Sequence, residues 1–137
     1  MASGFSPLQS EYSLLIVSSD EMDGSSLDRI LKPDCHLHRA ATRRQAKSIL
    51  RRLRPAVVIC DQDLADGNWR DLLTDLQREK GGPPLIVSSR LADERLWAEV
   101  LNLGGYDLLI KPFVPAEVSR VVEMAARRGS QASTHLF

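Results

Sequence analysis

The segment PAVVICDQDLADGN, Pro55–Asn68, carries the pattern that decides the fold. Its apolar run Ala56–Cys60 is short and rich in Val and Ile, which is typical of a strand buried on both faces. The acid Asp61 follows directly, and a polar loop containing Gly67 comes next. The segment therefore predicts a buried strand that ends at a carboxylate.

Similar short apolar runs alternate with helical patterns along the rest of the chain. Further strands are predicted at Tyr12–Val17, Cys35–Ala40, Leu85–Ser88 and Asp107–Ile110. Helices are predicted from Ser25 or Ser26 to Leu31 and at Thr42–Leu53, Asp71–Glu79, Asp93–Leu103 and Pro115–Arg128. A strand followed by a helix, repeated five times, predicts an α/β fold of three layers, in which helices cover both faces of a doubly wound, parallel, five-stranded sheet.

Composition narrows the class of protein. Of the 137 residues 43% are hydrophobic, which is enough for one domain with its own core. The 18 basic residues balance the 18 acidic ones, so no overall charge attracts nucleic acid or an anionic membrane. The first residues lack a signal-peptide pattern, no apolar run is long enough to cross a bilayer, and two cysteines fit a reducing compartment. We expect a cytoplasmic domain over residues 12–128, with a flexible leader at 1–11 and a flexible tail at 129–137.

Polar side chains follow four of the predicted strands. They are Ser18, Ser19 and Asp20 after the first strand, Asp61 after the third, Ser88 and Ser89 at the fourth, and Lys111 after the fifth. The carboxyl ends of parallel strands meet at one edge of a sheet, where open α/β sheets bind their ligands. An acid, several hydroxyls and an amine are therefore expected at one edge.

Taken together, these motifs resemble the receiver domain of response regulators over Tyr12–Arg128. Pro55–Asn68 is similar to that family's strand ending in the phosphoacceptor, and LNLGGYDLLIKPF, Leu101–Phe113, is similar to its fifth strand with a Lys-Pro pair. The resemblance implies a flavodoxin-like receiver fold and a signalling function rather than an enzymatic one. It also implies that a sensor histidine kinase or a phosphotransfer protein transfers a phosphoryl group to Asp61.

The resemblance assigns roles to other residues of the predicted pocket. Lys111 would bind phosphate oxygens, and Ser88 (or Ser89) would donate a hydrogen bond to one of them, with Ser88 narrowly preferred. Pro112 would follow a cis peptide bond. The Asp61 carboxylate and the backbone carbonyl of Asp63 would bind Mg²⁺.

Two departures from the family pattern affect the metal and the switch. Ser18 and Ser19 replace the acidic pair that normally holds Mg²⁺, so the metal is expected to bind weakly, with Asp20 as a substitute ligand. Leu108 stands where the family has an aromatic switch residue, and Tyr106 lies two positions earlier. The face formed by the fourth helix, fifth strand and fifth helix is expected to form a homodimer or to contact another partner.

Two alternatives remain open from the sequence. A degenerate receiver would bind no metal and act as a protein-interaction module independent of phosphorylation. The Asp-x-Asp pattern of Asp61 and Asp63 is also similar to the nucleophile loop of haloacid-dehalogenase-like phosphatases. That pattern lies on the third strand, however, and no downstream acidic pair is evident.

Overall fold

The predicted three-layer α/β architecture is confirmed. The structure, a computed structural model, describes residues 12–32, 35–91 and 93–134, and the predicted leader at 1–11 lies outside them. In chain order the strands are β1 Tyr12–Val17, β2 Cys35–Ala40, β3 Val57–Asp61, β4 Asp63–Leu64, β5 Gly67–Asn68, β6 Leu85–Ser89 and β7 Asp107–Ile110. Five of them form a parallel sheet in the order β2-β1-β3-β6-β7, while β4 and β5 form a small hairpin after Asp61.

Two core clusters fill the spaces between the sheet and the two helical layers. The helices are α1 Glu21–Leu31, α2 Arg43–Arg52, α3 Trp69–Gln77, α4 Glu94–Leu103 and α5 Pro115–Thr134. One cluster joins the sheet to α1 and α5, and the other joins it to α2, α3 and α4. Because apolar side chains from both faces are buried, the short Val- and Ile-rich runs form strands without polar alternation.

The helix starts follow local capping chemistry. Asp20 caps α1 by accepting a hydrogen bond from the Met22 amide, so this helix begins at Glu21 and not after Ser25 or Ser26. Thr42 caps α2 as predicted, through the Gln45 amide. Asn68 and Asp71 form a capping box at the start of α3. Carboxylate, hydroxyl and amide oxygens thus satisfy amides that have no partner within the helix.

The last helix is longer than predicted. It continues to Thr134, so part of the segment 129–137, which was predicted to be a flexible tail, is helical. Glycine in a helix costs only about 1 kcal/mol relative to alanine. The flanking Ala125, Ala126 and Gln131 favour helix, so Gly129 does not end α5. Among the described residues no helix is both long and apolar enough to cross a membrane.

The β4–β5 hairpin is tied to the start of α2. The Asp66 carboxylate accepts hydrogen bonds from the backbone amides of Arg43 (2.7 Å) and Arg44 (3.0 Å). These bonds stabilise the charged form and lower the pKa of Asp66. The loop that follows Asp61 is therefore anchored at its far side.

Candidate functional site

Alternation along three strands brings Asp61, Ser88 and Lys111 to the same face of the sheet. The residues two positions before them pack in the core cluster shared with α1 and α5: Ile59, Ile86 and Leu109. Side chains at positions i and i+2 of a strand point to the same face. Asp61 and Ser88 are also direct neighbours in the pairing of β3 with β6. The three groups therefore converge at the carboxyl end of the sheet.

The Lys111 ammonium lies between two carboxylates. Its Nζ is 3.0 Å from Oδ1 of Asp61 and 2.8 Å from Oδ2 of Asp23, and the residue is 8% exposed. Burial disfavours the charged ammonium, but hydrogen bonds and Coulombic attraction from Asp23 and Asp61 outweigh it, so the pKa of Lys111 is raised above its ordinary 10.5. Lys111 is therefore a fixed positive charge at neutral pH.

Asp61 presents one engaged oxygen and one available oxygen. Its Oδ1 accepts a hydrogen bond from the Gln62 amide at 3.0 Å and forms an ion pair with the Lys111 ammonium. Within the described part of the chain, Oδ2 accepts none, and the side chain is 20% exposed. An ionised carboxylate with one oxygen held and the other accessible is suited to nucleophilic attack.

The two serines of β6 have opposite environments. The hydroxyl of Ser88 is buried, with the residue 1% exposed, and has no hydrogen-bond partner among the described residues. The hydroxyl of Ser89 donates to Oε1 of Gln62 (2.8 Å) and accepts from the Leu91 amide (3.0 Å). Because Ser88 shares the face of Asp61, its hydroxyl is the one available to a ligand bound there.

This contrast gives a prediction with opposite signs for two similar variants. We expect Ser88→Ala to stabilise the protein by about 1 kcal/mol, because it removes a buried hydroxyl without a partner. We expect Ser89→Ala to destabilise it by about 1 kcal/mol, because it leaves the Leu91 amide and Gln62 without their partner. Urea unfolding at unchanged m value measures both. Equal destabilisation of the two variants would show that the Ser88 hydroxyl has a partner in the folded protein.

Asp23 also lies in the pocket, and it is not among the site residues predicted from the sequence. It is 4% exposed and lies within α1, and its Oδ2 accepts from the Ser18 hydroxyl at 2.7 Å as well as from Lys111. A signal was present in the sequence, since Asp23 lies four residues before Leu27 and eight before Leu31, both buried on the same helical stripe. An acid on a buried stripe is unusual unless it is paired.

Asp20, the predicted substitute for the acidic pair, has other partners. Its carboxylate caps α1 and lies 3.6 Å from a guanidinium nitrogen of Arg90. Ser18 accepts from the Asp20 amide and donates to Asp23, while Ser19 is exposed. The acid that contacts Lys111 from this side of the pocket is therefore Asp23 and not Asp20.

The oxygen donors present are of the kind that Mg²⁺ prefers. Oδ2 of Asp61 and Oδ1 of Asp23 accept no hydrogen bond from any described residue, so both retain lone pairs for a cation. No group of three or more His, Cys, Asp or Glu side chains with metal-site geometry occurs in the described ranges. Two carboxylates fit a Mg²⁺ ion that keeps several of its waters, together with the backbone carbonyl predicted at Asp63, which lies in β4.

The remaining predicted residues lie near the last strand. The peptide bond between Lys111 and Pro112 is cis. Leu108 is partly buried against the cluster of α2, α3 and α4, whereas Tyr106 packs on the opposite cluster with the Arg128 guanidinium 5.6 Å from its ring centroid. The two candidate switch positions therefore face different layers of the molecule.

Comparisons with known proteins match this chain to one family. The model of the family described as "Response regulator receiver domain" matches residues 14–123. The chemotaxis protein CheY of Thermotoga maritima is 29% identical over 84 residues, which cover 61% of this chain and 68% of that protein. The transcriptional regulatory protein QseB of Escherichia coli O157:H7 is 41% identical over 97 residues, covering 68% of this chain but 43% of that longer protein.

Solved structures show the same fold. The signal receiver domain of an HD domain-containing protein from Pseudomonas fluorescens Pf-5 has a TM-score of 0.84 and 23% identity, covering 97% of this chain and 99% of that one. The beryllofluoride-activated NtrC4 receiver domain dimer has a TM-score of 0.78 and 23% identity, covering 85% of this chain and 98% of that one. At these identities the likeness concerns the fold.

Proposed function

Because this chain belongs to the response regulator receiver family of two-component signalling, we propose that Asp61 is its phosphoacceptor and that phosphorylation changes its contacts with partners. The observation that carries the proposal is the buried hydroxyl of Ser88, which has no partner among the described residues. Ser88 lies on the same face of the sheet as Asp61 and Lys111. A buried polar group without a partner is costly. A phosphoryl oxygen on Asp61 would give this hydroxyl an acceptor.

The proposed reaction needs no general base. Oδ2 of Asp61 attacks the phosphorus of a phosphodonor, a new O–P bond forms, and the bond from phosphorus to the leaving group breaks. With acetyl phosphate the leaving group is acetate, which departs with the bonding electron pair. Lys111 stabilises negative charge on the phosphoryl oxygens as a compact cation.

Mg²⁺ belongs to this proposal because receiver domains generally use it. When bound, it would neutralise charge on the phosphoryl oxygens during transfer. Asp61 and the backbone carbonyl of Asp63 would hold it. Loss of the acidic pair at Ser18 and Ser19 lowers the expected affinity below that of family members that have it.

The test is phosphorylation of the full chain by acetyl phosphate, followed by intact-mass spectrometry. We expect a mass gain of one phosphoryl group with Mg²⁺ and little or none with EDTA. Asp61→Asn should abolish the gain, because an amide cannot form the acyl phosphate. The matched control is Asp28→Asn, an acid of α1 that pairs with the exposed Lys32 outside the pocket and should still be phosphorylated.

The degenerate receiver is the outcome that contradicts this proposal. The presence of Ser18 and Ser19 in place of the acidic pair favours it, since two serines and not two acids then follow the first strand directly. Under that alternative the mass stays unchanged at every Mg²⁺ concentration, while partner binding persists in Asp61→Asn. Turnover of an aryl phosphate would instead favour the haloacid-dehalogenase-like reading, and we expect none.

The proposed partners are a sensor histidine kinase or phosphotransfer protein and, for the output, a second copy of the chain. The predicted homodimer face comprises α4, β7 and α5. It contains a groove of about 460 Å³ with the exposed Trp97, whose indole nitrogen donates to Asp107 at 3.1 Å, beside Leu108. An exposed tryptophan in a groove is typical of a protein-contact surface.

A further inference from the structure

Helix α1 supplies the pocket with a carboxylate that is almost completely buried. Burying an ionised carboxylate is costly unless it is paired and hydrogen-bonded. Oδ2 of Asp23 meets both conditions, since it accepts from Lys111 at 2.8 Å and from Ser18 at 2.7 Å. Its Oδ1 accepts no hydrogen bond from any described residue and so remains available.

The position of Lys111 shows that the two carboxylates face one small space. The same Nζ atom contacts Asp23 and Asp61 at hydrogen-bonding distance. The second and independent sign of a ligand is the Ser88 hydroxyl, which is 1% exposed and without a described partner on this face. Two acids alone would not indicate a site, but here a buried hydroxyl oxygen without a described partner lies beside Asp61 on the same sheet face.

Charge balance points in the same direction. Asp23 and Asp61 carry two negative charges and Lys111 carries one positive charge, so the pocket retains one negative charge. Conversion of Asp61 to an aspartyl phosphate adds a further negative charge. One divalent cation then brings the pocket to neutrality, which a low-dielectric site favours.

We propose that Asp23 is the second carboxylate ligand of a divalent-cation site shared with Asp61. It takes the role of the family's acidic pair, whose two positions are occupied by Ser18 and Ser19 in this chain. The second ligand is therefore supplied by a residue within α1 and not by the residues that directly follow β1. The inference deepens the proposed function and rests on it for its biological purpose. Its measurement needs no phosphodonor, so the two can fail separately.

The test is isothermal titration of the full chain with Mg²⁺, without phosphodonor. We expect Asp23→Asn to weaken Mg²⁺ binding by about tenfold or more, as loss of a ligand or of its supporting group typically does. Asp28→Asn is the matched control, because it removes one negative charge from the same helix where Asp28 pairs with the exposed Lys32. We expect its affinity to stay within about threefold of the wild type, since a distant charge acts only through screened attraction.

Asp20→Asn separates this proposal from the expectation based on sequence. Asparagine retains the capping ability of Asp20, so α1 should persist. Weaker Mg²⁺ binding in Asp20→Asn with unchanged binding in Asp23→Asn would overturn the proposal. Absence of measurable Mg²⁺ binding by the wild type would overturn it too, even if Asp61 were phosphorylated.

A rescue variant distinguishes loss of a ligand from misfolding of Asp23→Asn. Ser19→Asp in the Asp23→Asn background restores an acid at the position where the family has one. We expect it to recover most of the lost affinity, with far-UV circular dichroism unchanged among the three proteins. Failure of Ser19→Asp to recover binding in a folded double variant would contradict the idea that the two positions substitute for each other.

Discussion

Lys111→Met is expected to destabilise the protein by about 3–5 kcal/mol at neutral pH, because removing one partner of a buried ion pair leaves its counter-charge uncompensated. Here one ammonium serves two carboxylates, at 2.8 and 3.0 Å. Without it, Asp23 and Asp61 would repel each other in a site where water screens little. Urea unfolding of the wild type and the variant measures the difference.

Asp23→Asn is expected to suppress most of this loss. In the double variant Lys111→Met with Asp23→Asn, the repulsion between the two carboxylates is gone and Asp61 remains partly exposed. The resulting double-mutant cycle should give a coupling free energy of about 2 kcal/mol or more. Purely additive effects would show that Lys111 contributes by packing and not by its charge.

The same pair gives a pH dependence with a defined sign. The pKa of Lys111 is raised in the folded protein, so its pairing contributes stability that is fully present below pH 10.5 and is lost as the pH rises through the folded-state pKa. The stability difference between wild type and Lys111→Met should therefore be constant between pH 7 and pH 9 and shrink at strongly alkaline pH. A difference that grows with pH would contradict this account.

Much of the sheet could be predicted because the strands obey one simple rule. A buried parallel strand needs side chains that are apolar on both faces, and the runs at Tyr12–Val17 and Asp107–Ile110 match the observed strands residue for residue. Alternation within a run could also have indicated which serine shares the face of Asp61. Ser88 does, because Ile86, two positions earlier, packs on the layer of α1 and α5.

Asp23 could not be assigned in the same way. Its role depends on how α1 is rotated and on how far the Lys111 side chain reaches from a strand 88 positions away. The sequence predicted acids near the end of β1 by analogy with the family and so favoured Asp20, which lies closer along the chain. A capping acid and an acid that points into the pocket both lie near a helix start. The stripe shared with Leu27 and Leu31 indicates the second, but the packing of α1 against the sheet is needed to place it beside Lys111.

The two tryptophans illustrate the same limit and allow a paired prediction. Trp69 is 1% exposed and packs in the core of α2, α3 and α4, whereas Trp97 is 48% exposed. We expect Trp69→Ala to destabilise the protein by about 3–5 kcal/mol, the usual cost of deleting a large buried aromatic side chain. Trp97→Ala should cost less than about 1 kcal/mol, since it removes little buried area and one exposed hydrogen bond.

The effect of Trp69 should extend to the loop that follows Asp61. Its backbone amide donates to the Gln62 carbonyl at 3.2 Å, and Gln62 follows Asp61 directly. Trp69→Phe keeps an aromatic anchor at the start of α3, so it should retain phosphorylation by acetyl phosphate while losing less stability than Trp69→Ala. Thermal unfolding followed by circular dichroism, with the mass-gain assay on the same samples, measures both properties. If Trp97→Ala proved the more damaging substitution, the packing of α3 against the sheet described above would be wrong, because the buried indole would then contribute less than the exposed one.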